Sequence, residues 1–113
     1  MRNPLIAALE SLGYRRVKDE HPVFAKPMGY ACVFVHEQTG EIHCQANGKD
    51  GKQHCWNEDK IDTSQNKNAI VHDIAHFEAH KTNITMCHKN NNDKSTYAFI
   101  TAANVRITFA DIV

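Results

Sequence analysis

The sequence predicts an α+β fold, in which an antiparallel β-meander is combined with an N-terminal helix, a second helix packed on the sheet, and C-terminal strands. Short β-branched and aromatic runs alternate with glycine-containing turns, and two amphipathic stretches with helical spacing lie outside those runs. A chain of 113 residues suits one domain of ordinary size. We therefore expect residues 1–113 to form a single domain.

The first helix is predicted over residues 3–13. Asn3 can cap it, Pro4 suits the first helical position, and Gly13 marks its end. The apolar residues of this stretch fall at helical spacing and form one stripe: Leu5, Leu9 and Leu12. We expect the stripe to pack on the sheet, with a partner-binding helix as the alternative.

The centre of the predicted sheet is a meander of three strands over residues 30–35, 41–46 and 53–56, preceded by a short edge strand over residues 23–26. The intervening sequences QTG and NGKDG are strong turn signals. Proline on both sides of residues 23–26 is typical of an edge position, because proline cannot donate to a sheet ladder.

The register of the meander determines which side chains share a face. A three-residue first loop places Phe34 opposite Cys44, and a symmetric second hairpin places Cys44 opposite Cys55 and His43 opposite Trp56. Side chains alternate between the faces of a strand. One predicted face then carries apolar residues together with histidines: Val33, Val35, His43, His54 and Trp56.

This predicted face is too apolar to be left to water. Either the C-terminal hairpin covers it or a partner does. The leading functional hypothesis is therefore a small non-catalytic protein that binds another protein, with a homodimer as one form. Immunity proteins and the inhibitors or accessory factors of phages and plasmids have this character, by analogy of type and not by sequence.

The second helix is predicted over residues 67–80. At about 100° per residue, Ile70, Ile74 and Phe77 centre its apolar face. The three histidines of the helix fall roughly opposite, on the side expected to meet solvent: His72, His76 and His80.

The string HDIAHFEAH, residues 72–80, resembles the HExxH helix of zinc metallopeptidases. Two imidazoles four residues apart on a helix can reach one zinc ion, and the acid after the first histidine can polarise a bound water. The additional histidine four residues later is similar to the pattern of small zinc peptidases that cleave phage or stress-response repressors. The resemblance implies a zinc-dependent hydrolase with Asp73 in the catalytic role and three ligands: His72, His76 and His80.

The direction of these histidines favours a surface helix instead. Asp73 also stands where the peptidase pattern has a glutamate, which is one methylene longer. The main expectation is therefore a protein with no catalytic residue and no cofactor, and the zinc hydrolase is the alternative.

Composition limits the classes of partner. Lysine plus arginine and aspartate plus glutamate both number 13, so the formal charge is zero, and we expect neither nucleic-acid nor membrane binding. No apolar run approaches the ~20 residues of a membrane span, and the N-terminus lacks a signal-peptide pattern. A cytoplasmic location is expected, with the cysteines as reduced, packed thiols. In a secreted protein, Cys44 and Cys55 would be the first disulfide pair to test.

The C-terminal part is predicted to form strands. Residues 82–88 and 95–101 flank an asparagine run and suggest a hairpin, and residues 105–112 suggest a last strand. The alanine-containing residues 95–103 are also compatible with a helix.

Overall fold

The computed structural model describes residues 3–17, 22–28, 31–47, 53–85, 98–100 and 106–108. In chain order the elements are α1 (Pro4–Ser11), β1 (Arg15–Arg16), β2 (Val23–Met28), β3 (Ala31–His36), β4 (Glu41–Asn47), β5 (Gln53–Lys60), α2 (Lys67–Thr85), β6 (Ala98–Ile100) and β7 (Arg106–Thr108). Strands β1 to β5 form one antiparallel sheet in sequence order, and β6 pairs with β7 in a second sheet. The predicted α+β class with a meander and two helices is confirmed.

Helix α1 begins and ends where its sequence predicts. The side chain of Asn3 accepts a hydrogen bond from the backbone N–H of Leu5 at 2.9 Å, and Pro4 occupies the first helical position. Gly13 adopts a φ of +88°, a conformation that glycine reaches at little cost. Leu5 and Leu9 are buried in the core with residues of the sheet, which confirms the predicted packing of the stripe.

The first hairpin of the meander is one position out of the predicted register. Four residues, 37–40, connect β3 to β4, and Gly40 N–H donates to the carbonyl oxygen of His36 at 2.9 Å. Phe34 therefore lies opposite His43, and the predicted pairing of Phe34 with Cys44 is wrong. A shift of one residue moves every side chain of a strand to the other face relative to its neighbour.

The second hairpin differs from the symmetric prediction as well. A β-bulge lies next to Ala46, and beyond it Cys44 is opposite Asn57 and Trp56 is opposite Gln45. The predicted partners of Cys44 and His43 are therefore both wrong. Cys44 is a buried, reduced thiol, and its backbone partner removes the geometric reason for a disulfide to Cys55.

One face of the sheet is covered by the two helices. Val33, Val35 and Ile42 are each 0% exposed there. They join the helical core residues in one cluster, which includes Leu5, Ala8, Leu9, Ile70, Ile74 and Phe77. The prediction that Val33 and Val35 share a partner-binding face with His43 is wrong, because the four-residue loop places them on the opposite face from His43.

The centre of the other face of the sheet is also buried. Six of its side chains are at most 4% exposed: Val23, Ala25, Cys32, Phe34, His43 and Gln45. Strand β6 contacts β4, the strand that carries the two polar residues of this set.

Helix α2 is longer than its pattern predicts. The side chain of Asn66 accepts a hydrogen bond from Ala69 N–H at 2.9 Å at its start, and the helix continues to Thr85. The strand predicted over residues 82–88 is therefore wrong for residues 82–85, while residues 86–97 lie outside the described part. Strands β6 and β7 fall inside the predicted ranges 95–101 and 105–112. None of the described helices is long and apolar enough to cross a membrane.

Candidate functional site

A groove of about 520 Å³ lies between the end of β5 and the middle of α2. We call it the β5–α2 groove. Its lining combines acids, lysines and histidines around a small apolar floor: Asp59, Lys60, Ile61, Asp73, His76, Phe77, His80 and Lys81. Within this lining, Ile61 and Phe77 are buried and belong to the hydrophobic core.

The helical repeat explains why α2 contributes these particular residues. Positions 73, 76, 77, 80 and 81 are three or four apart and share one side of a helix. Phe77 is directed into the core together with Ile70 and Ile74, as predicted. His72, His76 and His80 are all exposed, so the predicted solvent-facing side is confirmed.

The three histidines of α2 do not form one cluster. The rings of His76 and His80 approach with centroids 4.1 Å apart and planes 43° apart. The side chain of His72 is 82% exposed, and its Nδ1 lies 3.8 Å from Oδ1 of Asp73. Within the described ranges, no group of three or more histidine, cysteine, aspartate or glutamate side chains is arranged to hold one metal ion. The predicted three-histidine arrangement is therefore not formed there.

Asp73, the predicted catalytic residue of the hydrolase alternative, is oriented by a neighbour. Its Oδ2 accepts a hydrogen bond from Nε2 of Gln65, which precedes the helix. The carboxylate is 45% exposed and lines the groove. This arrangement adds a negative charge to the wall of the groove.

Strand β5 forms a long edge of the main sheet. It spans eight residues and, among the described residues, pairs with β4 alone. The other edge, β1, has only two residues. Long edge strands present backbone donors and acceptors to any added strand.

The hydrogen-bond pattern shows which backbone groups of β5 face outward. Ile61 N–H donates to the carbonyl oxygen of Gly40 at 2.8 Å, so the Ile61 N–H is directed toward β4. In an antiparallel sheet, successive residues of a strand direct their backbone groups to opposite sides. Asp59 therefore directs its backbone toward β4, whereas Glu58 and Lys60 direct theirs away from β4. Gly40 fits this junction because a Cβ there would lie 2.5 Å from the Ile61 oxygen.

The groove and the edge carry balanced charge. Asp59 and Asp73 oppose Lys60 and Lys81. Oδ1 of Asp59 also accepts a hydrogen bond from Lys60 N–H at 2.8 Å.

The five residues predicted to bind a partner do not share one surface. Val33 and Val35 are in the core, and His43 is buried on the opposite face of the sheet, stacked on Phe34 with ring centroids 4.9 Å apart. Burial lowers the pKa of His43 to about 4, so its imidazole is neutral near pH 7. Strand β5 carries His54 next to the bulge and Trp56 opposite Gln45, and their side chains lie outside the described part.

A buried polar cluster was missed by sequence reasoning. Tyr14 donates its hydroxyl proton to Oε2 of Glu78 at 2.7 Å, and Nζ of Lys26 donates to the same oxygen at 3.1 Å. Burial and the neighbouring Glu78 carboxylate raise the pKa of Tyr14 well above its usual range. The available signal was an acid placed next to Ile74 and Phe77 on the apolar side of α2.

Comparison of the chain with protein-family models, with curated proteins and with solved structures finds no match. The groove and the β5 edge are therefore the features that indicate a function. Both features belong to the same side of the molecule, because Asp59 and Lys60 are part of each.

Proposed function

We propose that this protein is a non-catalytic binding protein that takes up an extended segment of another polypeptide along β5. The observation that carries the proposal is that an eight-residue edge strand lies directly beside a groove formed with a helix. Addition of a strand to a sheet edge is a recurring mode of peptide recognition. Backbone hydrogen bonds provide affinity in this mode, and pockets for alternate side chains provide specificity.

The backbone pattern of β5 defines where the segment binds. Glu58 and Lys60 direct their backbone groups toward the position of an added strand, which would bond with Glu58 and with the Lys60 carbonyl oxygen, since the Lys60 N–H already donates to Oδ1 of Asp59. At about 3.3 Å per residue, an extended segment of eight residues would match the length of β5. Alternate side chains of the segment then enter the helix-covered side, where Asp59 and α2 lie.

The lining of the groove indicates the chemistry of the bound segment. An apolar side chain can rest against Phe77 and Ile61, while charged or polar neighbours meet Asp59 on one wall and Lys81 on the other. The exposed charges of β5 disfavour promiscuous pairing between edges. We therefore expect selective binding of a mixed polar and apolar sequence.

A second copy of the chain is the special case of this proposal, with one β5 paired to another. The buried, reduced thiols of Cys32 and Cys44 support a reducing compartment, and we propose the cytoplasm. The analogy to immunity proteins and mobile-element inhibitors stays a prediction from the sequence.

Selection from a displayed peptide library on the purified protein tests the proposal. Affinities of enriched peptides are then measured by fluorescence anisotropy for the wild type, Glu58→Pro and Glu58→Ala. Proline removes the outward N–H at an edge position that tolerates it, whereas alanine keeps the N–H and is the matched control. We expect binding about tenfold weaker or worse for Glu58→Pro, equivalent to about 1.4 kcal/mol, and a change below about threefold for Glu58→Ala.

Circular dichroism and thermal unfolding verify that both variants keep the fold. Failure to enrich any peptide on the wild type would contradict the proposal, as would equal affinity of the two variants. Light scattering after size-exclusion chromatography identifies the special case, because a dimer dispersed by Glu58→Pro and retained by Glu58→Ala places a second copy on β5.

A further inference from the structure

Two imidazole side chains lie next to each other on the wall of the β5–α2 groove. His76 and His80 are four residues apart on α2, their side chains are exposed, and their ring centroids are 4.1 Å apart. Both also line the β5–α2 groove. The pair is thus preassembled and accessible to a small ion.

We propose that His76 and His80 form a two-imidazole site for a divalent transition-metal ion of the Zn²⁺, Ni²⁺ or Cu²⁺ class. Imidazole nitrogen is a preferred ligand for these ions, whereas Mg²⁺ and Ca²⁺ prefer oxygen. This inference goes beyond the proposed function, because both ligands of the ion come from α2.

The distance between the rings fits shared coordination. With metal–nitrogen bonds of about 2.0–2.1 Å, two imidazoles on one ion have ring centroids about 4.5–5 Å apart. The observed 4.1 Å, with the ring planes 43° apart, requires only a small adjustment of the two side chains. The helix holds the backbones of both ligands at a fixed separation.

The charges around the pair are balanced. Asp59 and Asp73 line the same groove as Lys60 and Lys81, so the two carboxylates offset the repulsion of a cation by the two lysines. Two protein ligands leave further coordination positions, which water or a donor group entering the groove can fill.

His72 distinguishes this site from the three-histidine arrangement predicted by the sequence. It is also four residues from His76, so spacing alone would make the pair of His72 and His76 equally suitable. In the structure, however, the His72 imidazole lies beside Asp73 and is not part of the groove lining. The geometry therefore assigns the site to His76 and His80.

Titration of untagged protein with Ni²⁺ and with Zn²⁺ by isothermal calorimetry tests the proposal, with His72→Ala as the matched control. We expect one equivalent to bind to the wild type, at least about tenfold weaker binding in His76→Ala and in His80→Ala, and a change below twofold in His72→Ala. Wild-type protein without saturable binding at millimolar ion would overturn the proposal. Equal losses in His72→Ala and His80→Ala would also overturn it, since the ion would then not select this pair.

The histidine signals in an NMR spectrum provide a second readout. We expect the ring resonances of His76 and His80 to move or broaden first as Ni²⁺ is added, before those of His36 and His72. Earlier changes at His72 or His36 would contradict the assignment even if calorimetry detected binding.

Discussion

Helix α2 carries two kinds of polar side chain, one buried in the interior and one exposed in the β5–α2 groove. Glu78 is buried and receives hydrogen bonds from Tyr14 and Lys26, whereas His76, two residues earlier, is exposed in the groove. His43 is also an interior group, because it is buried on the face of the sheet opposite the helices. The Glu78 carboxylate is thus bound by partners within the chain, and the His76 imidazole is exposed to whatever enters the groove.

This difference separates residues that hold the fold together from residues available for binding. Buried ionisable groups are often taken as signs of an active site. Here the Glu78 cluster connects α2 to β2 and to the residue before β1, which is a structural role. Substitutions in the interior should therefore lower stability, while substitutions in the groove should change binding and leave stability nearly unchanged.

The largest expected effect on stability is that of Tyr14→Phe. The change removes the hydroxyl that donates to the Glu78 carboxylate and preserves the ring, so it deletes one buried hydrogen bond to a charged group. We expect the free energy of unfolding to fall by about 1.5–3 kcal/mol, measured by urea denaturation at pH 7. His80→Ala is the groove control and should change it by less than about 0.5 kcal/mol. Equal losses of unfolding free energy in the two variants would contradict the claim that interior residues stabilise the fold and groove residues do not.

A somewhat smaller effect is expected from pH acting on His43. Its pKa in the folded protein is about 4, below the ordinary 6.5, so the unfolded chain takes up a proton at a pH where the folded chain does not. Stability is therefore lost as the pH falls from about 7 toward 4. Linkage gives about 2 kcal/mol for this loss between pH 7 and pH 5.

Urea denaturation at pH 7, 6 and 5 measures this loss for the wild type and for His43→Leu. The wild type should lose about 2 kcal/mol more than the variant over that range. Parallel pH profiles of the two proteins would show that burial does not lower the pKa of His43, and would contradict this prediction.

The helices could be predicted closely, because their signals are local. Asn3, Pro4 and Gly13 define α1, and the positions of Ile70, Ile74 and Phe77 fix which side of α2 is buried. The register of the sheet could not be predicted, because it depends on a four-residue loop between β3 and β4, where three residues were expected, and on a bulge between β4 and β5. The four-residue loop separates Val33 and Val35 from His43, so these two valines lie in the core and not on the predicted binding face.

The candidate site could also be predicted only in part. The outward direction of the α2 histidines follows from periodicity and was predicted, but their division into a pair and a single residue depends on side-chain conformations. Strand β5 was predicted only as residues 53–56, because Asn57-Glu58-Asp59-Lys60 has low β propensity. Pairing with β4 overrides that propensity and creates the edge on which the functional proposal depends.

Amide hydrogen exchange of β5, with and without a selected peptide, tests the central claim most directly. We predict that peptide binding slows exchange of the outward-facing amide of Glu58 at least about tenfold, while the amides of Asn57 and Asp59, already directed to β4, change little. Slowing at Asn57 and Asp59 without slowing at Glu58, or slowing confined to elements other than β5, would contradict the account.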